Sequence, residues 1–425
     1  MTEPATILVA NFDEVSSTSD ATVRLGLWQK AVLRSESAST LLVAPAIPSN
    51  LVPARPGMWV EPAELVVPNR VSSSVSSDVV SDQAALHRLA AYARSGPTTL
   101  QFQVWSRGME LLRDALVAEG ARFTDTLPVV SSASVADWNS KVGGHLLFAS
   151  LKSVSDHRPP TALVHSDGEL RSLLSNIAPG CEVVAKANRS AGGRGIRVLS
   201  AASAKRWSGT FPAPGLKAPG PQAIWPMIVE QFVGHRTRNT SITVDLWIHQ
   251  SGADLVGLAR QLLGSRVRYR GVSSEISSVV RQSRSVIIAL GQTIGGELSR
   301  RGYRGPLNVD FVVTPSGAIY VAEMNVRQSA PLDQFLVLAR SDAASSPVPF
   351  VCVEDAKIPK GLSTAVDATR FLDASLEHAS SGQVTCLAVY EDDSAITGCL
   401  LATADSIADA KRLLSRAVSV LADAP

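Results

Sequence analysis

The stretch that most limits what this chain can become is Gly305 to Arg327, GPLNVDFVVTPSGAIYVAEMNVR. Leu307 to Val313 is apolar and β-branched, Thr314-Pro315-Ser316-Gly317 is turn chemistry, and Ala318 to Val321 opens a second apolar run. That order predicts a β-hairpin. With those four residues as the loop, Val313 pairs with Ala318 and Asp310 lies opposite Val321. Side chains then alternate so that Asp310, Val321, Glu323, Asn325 and Arg327 share one face. Asp310 and Glu323 become diagonal neighbours, about 7–8 Å apart and within reach of a shared ion. Two carboxylates and an amide oxygen are a hard-oxygen set that suits Mg²⁺ and its bridging to phosphates. A half-buried hairpin with a solvated polar face reads the same way from this stretch alone, and an odd loop length breaks the shared face.

Two or three domains fit 425 residues. At 45% hydrophobic and 18% charged residues the chain is globular rather than disordered. A net charge of +2 argues against a dedicated nucleic-acid binder. No apolar run reaches the length of a membrane span, and no leader is read at the start, so the expectation is a cytoplasmic protein. Cys181, Cys352, Cys386 and Cys399 form no CxxC pair. They read as reduced core residues rather than as a zinc or redox site. Only nine of the 40 basic residues are lysine, which makes a lysine beside a glycine loop informative.

Strands are expected at Thr6–Ala10, Thr40–Ala44 and Thr99–Val104, with a helix over Arg107–Glu119. That alternation predicts a doubly wound α/β first domain. Ser72 to Asp82 reads as a surface loop, and the prolines Pro159-Pro160 mark a boundary. Ser166 is a candidate N-cap for a helix to Ser175. The strand Glu182–Ala187 carries Lys186 near its end and runs into Ser190-Ala191-Gly192-Gly193-Arg194-Gly195, then the strand Ile196–Leu199. Glycines there let backbone amides approach phosphates, although a plain glycine hairpin has the same look. It is neither a Walker A loop nor a Rossmann fingerprint.

Met227–Val233 is a strand with Glu230 in its middle, a carboxylate that either faces solvent or accepts from an adenine amino group. Gly209–Pro221 is Pro/Gly-rich and reads as an exposed loop. Ser241–Ile248 and Ala253–Ala259 are further strands, and Arg260 closes the second. Leu262–Ser274 reads as a basic loop with Arg266, Arg268 and Arg270, suited to a carboxylate or phosphate if it is not simply solvated. A helix over Ser285–Arg300, a hairpin over Gly382–Tyr390 and Ala395–Ala402, and a helix over Ile407–Leu421 complete the chain.

The order of these pieces is more specific than any one of them. Asn139-Ser140-Lys141, a strand lysine, a GGxG hairpin, IVEQFV, NVDF and AEMNVR follow one another, and this series resembles the ATP-grasp superfamily of carboxylate–amine ligases. The resemblance covers residues 138 to 402 and implies an ATP-grasp fold, α/β with an α+β ligase part, behind a doubly wound pre-ATP-grasp domain. Its implied bounds are 1–137, 138–234 with the glycine loop, and 235–425 with the metal hairpin. ATP and Mg²⁺ are the implied cofactors. Lys141 and Lys186 resemble the phosphate-contacting lysines, and Ser190, Gly192, Gly193 and Gly195 the loop over the phosphates. Glu230, Gln231, Phe232 and Val233 resemble the adenine-binding linker. Asp310, Glu323 and Asn325 match the metal ligands, and Arg327 the arginine beside the reacting phosphoryl group. Arg268 in the basic loop and Arg260 before it, read from the residues themselves, are the further catalytic candidates, suited to a carboxylate or phosphate.

Two departures stand out. The family often places an acidic ribose ligand seven or eight residues after the adenine glutamate, where this chain has Thr237 and Arg238. Many members have proline where this chain has Val326. Within the superfamily the chain most resembles peptide ligases of actinobacterial natural-product pathways, of the pheganomycin-maturation kind. That implies an amino-acid carboxylate as donor, a peptide α-amine as nucleophile and an acyl phosphate between them. No nucleic-acid or membrane partner is expected, and a homodimer is left open. The alternatives are a dipeptide-forming amino-acid ligase, a biotin-carboxylase-like enzyme, or an ATP-binding regulatory module without catalysis.

Overall fold

Three sheets carry the chain, each formed from short β-branched runs cut by turn residues. The computed structural model describes residues 5–11, 40–44, 64–70, 74–124, 127–189, 195–204, 224–234, 238–264, 269–340, 348–362, 364–376, 382–391 and 396–424. The expected Gly209–Pro221 loop lies outside the described residues, as do Ser190, Gly192, Gly193, Arg266 and Arg268.

The first sheet holds β1 (Ala5–Val9), β2 (Thr40–Val43), β3 (Glu64–Val66) and β4 (Thr98–Phe102), in the order β3-β2-β1-β4. Every pairing is parallel, so both faces need cover. The Gln83–Arg94 and Arg107–Ala118 helices bury Leu86, Leu89, Met109, Leu112 and Leu116. Val75–Ser81, within the stretch read as a loop, is instead a helix. Its serines serve as caps: Ser74 accepts from the Ser77 amide, and Val75 and Val79, one turn apart, are buried.

The second sheet holds β5 (Thr161–Val164), β6 (Glu182–Lys186), β7 (Ile196–Ser200) and β8 (Met227–Gln231), in the order β5-β8-β6-β7 and antiparallel throughout. Asp167–Ser175 is helical, with the Ser166 side chain accepting from the Glu169 amide.

The third sheet has eight strands: β9 (Thr240–His249), β10 (Gly252–Leu263), β11 (Tyr269–Ser273), β12 (Gly305–Val313), β13 (Ile319–Asn325), β14 (Phe350–Lys357), β15 (Gly382–Glu391) and β16 (Ile396–Ala404). Their order is β13-β12-β9-β10-β11-β14-β16-β15. One face of its first strands is apolar, with Ile242, Val244, Leu246, Val309 and Phe311 buried under the long Ser278–Arg300 helix. Gly295 lets that helix come close, since a Cβ there would meet the Ala253 Cβ at 2.5 Å. The other face carries the polar residues Thr243, Asp245, Asn308 and Asp310. The expected basic loop is mostly strand. Leu262 and Leu263 end β10, Tyr269–Ser273 is β11, and exposed Arg270 bonds Asp355. A bulge explains this: the register shifts between Leu262 and Leu263 and skips Arg270, so Tyr269 and Val272 both join the core beneath the sheet while Arg270 stays exposed.

Candidate active site

The β12–β13 hairpin differs from its expected register, and the difference builds the site. The loop has five residues, 314–318, so Val313 pairs with Ile319 rather than Ala318. That odd count would leave Asp310 opposite Ala322. A bulge between the Asp310 and Phe311 pairs absorbs one residue, and Asp310 comes to lie directly opposite Glu323, with Asn308 opposite Asn325. Asp310 and Glu323 are therefore a cross-strand pair, closer than the diagonal neighbours expected. Val321 is not on their face: it pairs with Phe311 and lies in the apolar core.

Burial, and then the Glu323 charge, push the Asp310 carboxyl up to about 7, against hydrogen bonds from Thr243 and Gln261. Gln261 donates to Asp310 Oδ1 at 2.9 Å. Burial also opposes ionised Glu323, but Lys141, with Lys186 and Arg327, outweighs it and holds that carboxyl below its ordinary value. Lys141 Nζ bonds Glu323 Oε1 directly. Asn325 is buried, its Nδ2 donates to Asn308 Oδ1 at 3.0 Å, and its own Oδ1 accepts nothing. Two half-buried carboxylates beside an orphaned amide oxygen fit a hard cation. Asp310, Glu323 and Asn325 are thus the residues that would hold Mg²⁺.

Lys141 opens the Lys141–Ser150 helix, whose N-cap Ser140 accepts from the Gly143 amide at 2.9 Å. Its amide donates to Asn188 O at 2.9 Å, and Val142 N to Asn188 Oδ1 at 3.1 Å, which ties the helix start to the β6–β7 turn. Lys186, at the end of β6, donates to Ala322 O at 2.9 Å and pairs with Glu230 at 2.5 Å. The second sheet thereby meets the bulge of the third.

Glu230 corrects its sequence reading. It is 4% exposed, so it does not face solvent. Its two oxygens are held instead by Lys186 and by Arg158 Nη2, each at 2.5 Å. Arg158 also lies 5.0 Å above the Phe148 ring. The Gln231 amide donates to Pro160 O at 2.8 Å and the Phe232 amide to Glu182 O at 2.9 Å, while Val233 O accepts from Asn239 at 2.7 Å. Gly195 holds the base of its loop through Ala187 N at 2.8 Å.

Arg260 is a second correction. On β10 it neighbours Ile242, and Ile242 neighbours Phe311, which places it across the sheet from Asp310 and Gln261. There it pairs with Glu275 at 2.9 Å, far from a role beside the carboxylates. Arg327 does stay with them, held by Asn139 Oδ1 at 3.2 Å. The same Asn139 oxygen accepts from Val326 N at 2.7 Å, and its Nδ2 donates to Val326 O at 3.1 Å. Arg158 and Asn139 are the residues whose part the sequence reading missed. Asn139 opens the quoted Asn139-Ser140-Lys141 motif and Arg158 directly precedes the boundary prolines, and neither carries a spacing signal of its own.

This arrangement of three sheets and their helices has the ATP-grasp fold. The solved ADP complex of N5-carboxyaminoimidazole ribonucleotide synthetase is similar over 99% of this chain and 97% of its own, at 14% identity and a TM-score of 0.59. Biotin carboxylase from Campylobacter jejuni, in complex with β,γ-ATP, gives 15% identity over 99% and 92%, with a TM-score of 0.59. An L-amino acid ligase from Bacillus licheniformis gives 10% over 98% of each chain, with a TM-score of 0.53. No family model and no curated protein sequence matches the chain. Among the described residues, no helix is long and apolar enough to cross a membrane.

Proposed function

We propose that this protein is an ATP- and Mg²⁺-dependent carboxylate–amine ligase, joining an amino-acid carboxylate to a peptide α-amine with release of ADP and phosphate. The observation that carries the reading is the gathering of Lys141, Lys186, Asp310, Glu323, Asn325 and Arg327 where the second sheet meets the hairpin of the third. A carboxylate is a poor acyl donor, and taking the γ-phosphoryl of ATP as an acyl phosphate makes it one that an amine can attack. Phosphoryl transfer needs positioning and charge neutralisation more than covalent help. Mg²⁺ would neutralise phosphate oxygens and hold them in line. Lys141 and Lys186 would bind phosphates in exchange for Glu323 and Glu230, and Arg327, held by Asn139, would face the transferring group. Orientation alone supplies on the order of 7–11 kcal/mol.

The resemblance to peptide ligases of the pheganomycin-maturation kind supports the peptide acceptor, and the fold shared with an L-amino acid ligase supports the amino-acid donor. The test is nucleotide product analysis with Mg²⁺-ATP, a panel of amino acids and mixed peptide acceptors. ADP and phosphate formed only with both substrates, together with a new amide by mass spectrometry, is the expected result. Glu323→Ala should abolish it without unfolding the protein. AMP and pyrophosphate would overturn the acyl-phosphate route, and bicarbonate-dependent turnover would favour a carboxylase.

A further inference from the structure

Beyond β9, β10 and β11 from the carboxylate pair, on the same sheet, β14 and β16 bring two buried thiols together. Cys352 Sγ and Cys399 Sγ are 3.4 Å apart, and both residues are fully buried and free of disulfide. Glu354, two residues along β14, brings a carboxylate oxygen to within 4.8 Å of both sulfurs. The Ala330–Arg340 helix lies over this corner and inserts Gln334, itself 0% exposed.

Gln334 is satisfied the wrong way round. Its Nε2 has Glu354 Oε1 at 2.9 Å, Cys352 Sγ at 3.3 Å and Cys399 Sγ at 3.6 Å, three acceptors for two hydrogens. Its Oε1, equally buried, accepts nothing. A half-turn of the amide costs no space, because oxygen and nitrogen are nearly the same size. It leaves the Gln334 oxygen, the Glu354 oxygen and the two sulfurs facing one point, an arrangement that a cation satisfies once the thiols give up their protons.

We propose that Cys352, Cys399, Glu354 and Gln334 form a closed tetrahedral Zn²⁺ site that fastens the Ala330–Arg340 helix to β14 and β16. Thiolates select zinc over the hard cation suited to the active site. Ordinary Zn–S and Zn–O bonds give tetrahedral edges of about 3.8 Å between sulfurs, about 3.5 Å between sulfur and oxygen and about 3.3 Å between oxygens. The sulfur–sulfur distance and the three distances from Gln334 lie within about 0.4 Å of those edges, and the Glu354 oxygen, within 4.8 Å of each sulfur, closes on them as the ion binds. Binding converts both thiols to thiolates and releases their two protons to solvent. Half-buried Glu354 is the edge by which the ion enters.

The test uses the full-length protein, reduced with a phosphine and titrated with Co²⁺ in excess Mg²⁺, which keeps the active-site carboxylates occupied. The expected result is one equivalent of tetrahedral cobalt with a thiolate charge-transfer band. The band should vanish in Cys352→Ser and in Cys399→Ser and persist in Cys181→Ser, whose thiol is exposed. Glu354→Gln, at the half-buried edge, should weaken cobalt binding by at least about tenfold, as the loss of even a supporting group around a metal does. Absence of the band in the unmodified protein, or its survival in both serine variants, overturns the site. If the serine variants do not fold, unchanged affinity in Glu354→Gln overturns it equally. Ligase activity is not the readout, so the result stands apart from the proposed reaction.

Discussion

Removing the Asn139 side chain isolates what the tertiary structure adds to the last motif. Its amide makes three bonds, two to the Val326 backbone at 2.7 and 3.1 Å and one to Arg327 at 3.2 Å. Val326 is 0% exposed, with the Asn139 amide covering its backbone groups. Asn139→Ala strands one N–H and one C=O, at about 1–3 kcal/mol each. The sum, roughly 2–6 kcal/mol, is a large share of an ordinary domain's stability. Arg327 loses its anchor at the same time, and a misplacement of about 1 Å in a positioning group is worth about 100-fold in rate. Urea unfolding should show the first effect. ADP release under saturating substrates should show the second, with kcat falling more than the KM for ATP changes. Asn139→Asp keeps the acceptor for Val326 N and Arg327 and loses only the donation to Val326 O, so it should recover most of the rate. Wild-type urea midpoint and wild-type kcat in Asn139→Ala would refute the anchoring argument.

Two further predictions concern buried charge. Burial, and then Asp310, push the Asp245 carboxyl up to about 8 from 3.8. The native state therefore holds this proton more tightly than the unfolded chain. Its contribution is fully present below about pH 4 and is lost as pH rises through about 8. In metal-free protein the stability gap between Asp245→Asn and wild type should shift in favour of the variant by up to about 4 kcal/mol between pH 5 and pH 8; a gap independent of pH would contradict it. Glu230→Gln leaves Lys186 and Arg158, each 8% exposed at the side chain, without a counter-charge. It should destabilise the protein by roughly 3–5 kcal/mol in calorimetry or urea unfolding, and an unchanged midpoint would show the pairs to be dispensable.

Much was legible in local chemistry. Turn residues and β-branched runs announced the hairpin, the strand ending in Lys186 and the Ser166 cap, because those signals act over a few residues. No element was read at β14 or over the Ala330–Arg340 and Ala365–Leu376 helices, although Ser329 and Thr364 cap the two helices by accepting from the Leu332 and Asp367 amides at 3.3 and 3.0 Å. The Ser-rich stretch misled, since serine favours both loops and helix caps, and only the buried Val75 and Val79 decide between them.

The sequence by itself determined which side chains the site has to draw on: the acid pair Asp310 and Glu323, Asn325, Arg327 and the two lysines. Tertiary structure alone decided how they meet. The bulge beside Asp310 restored a face that a five-residue loop would have broken. Pairing set Arg260 on the far side of the sheet, against Glu275. Burial turned Glu230 into the partner of Lys186 and Arg158, and Asn139 reached across 188 positions to hold Arg327. Register, facing and desolvation are properties of how strands and domains come together. No residue-by-residue pattern encodes them, because a one-residue slip leaves the sequence unchanged and moves every side chain to the opposite face.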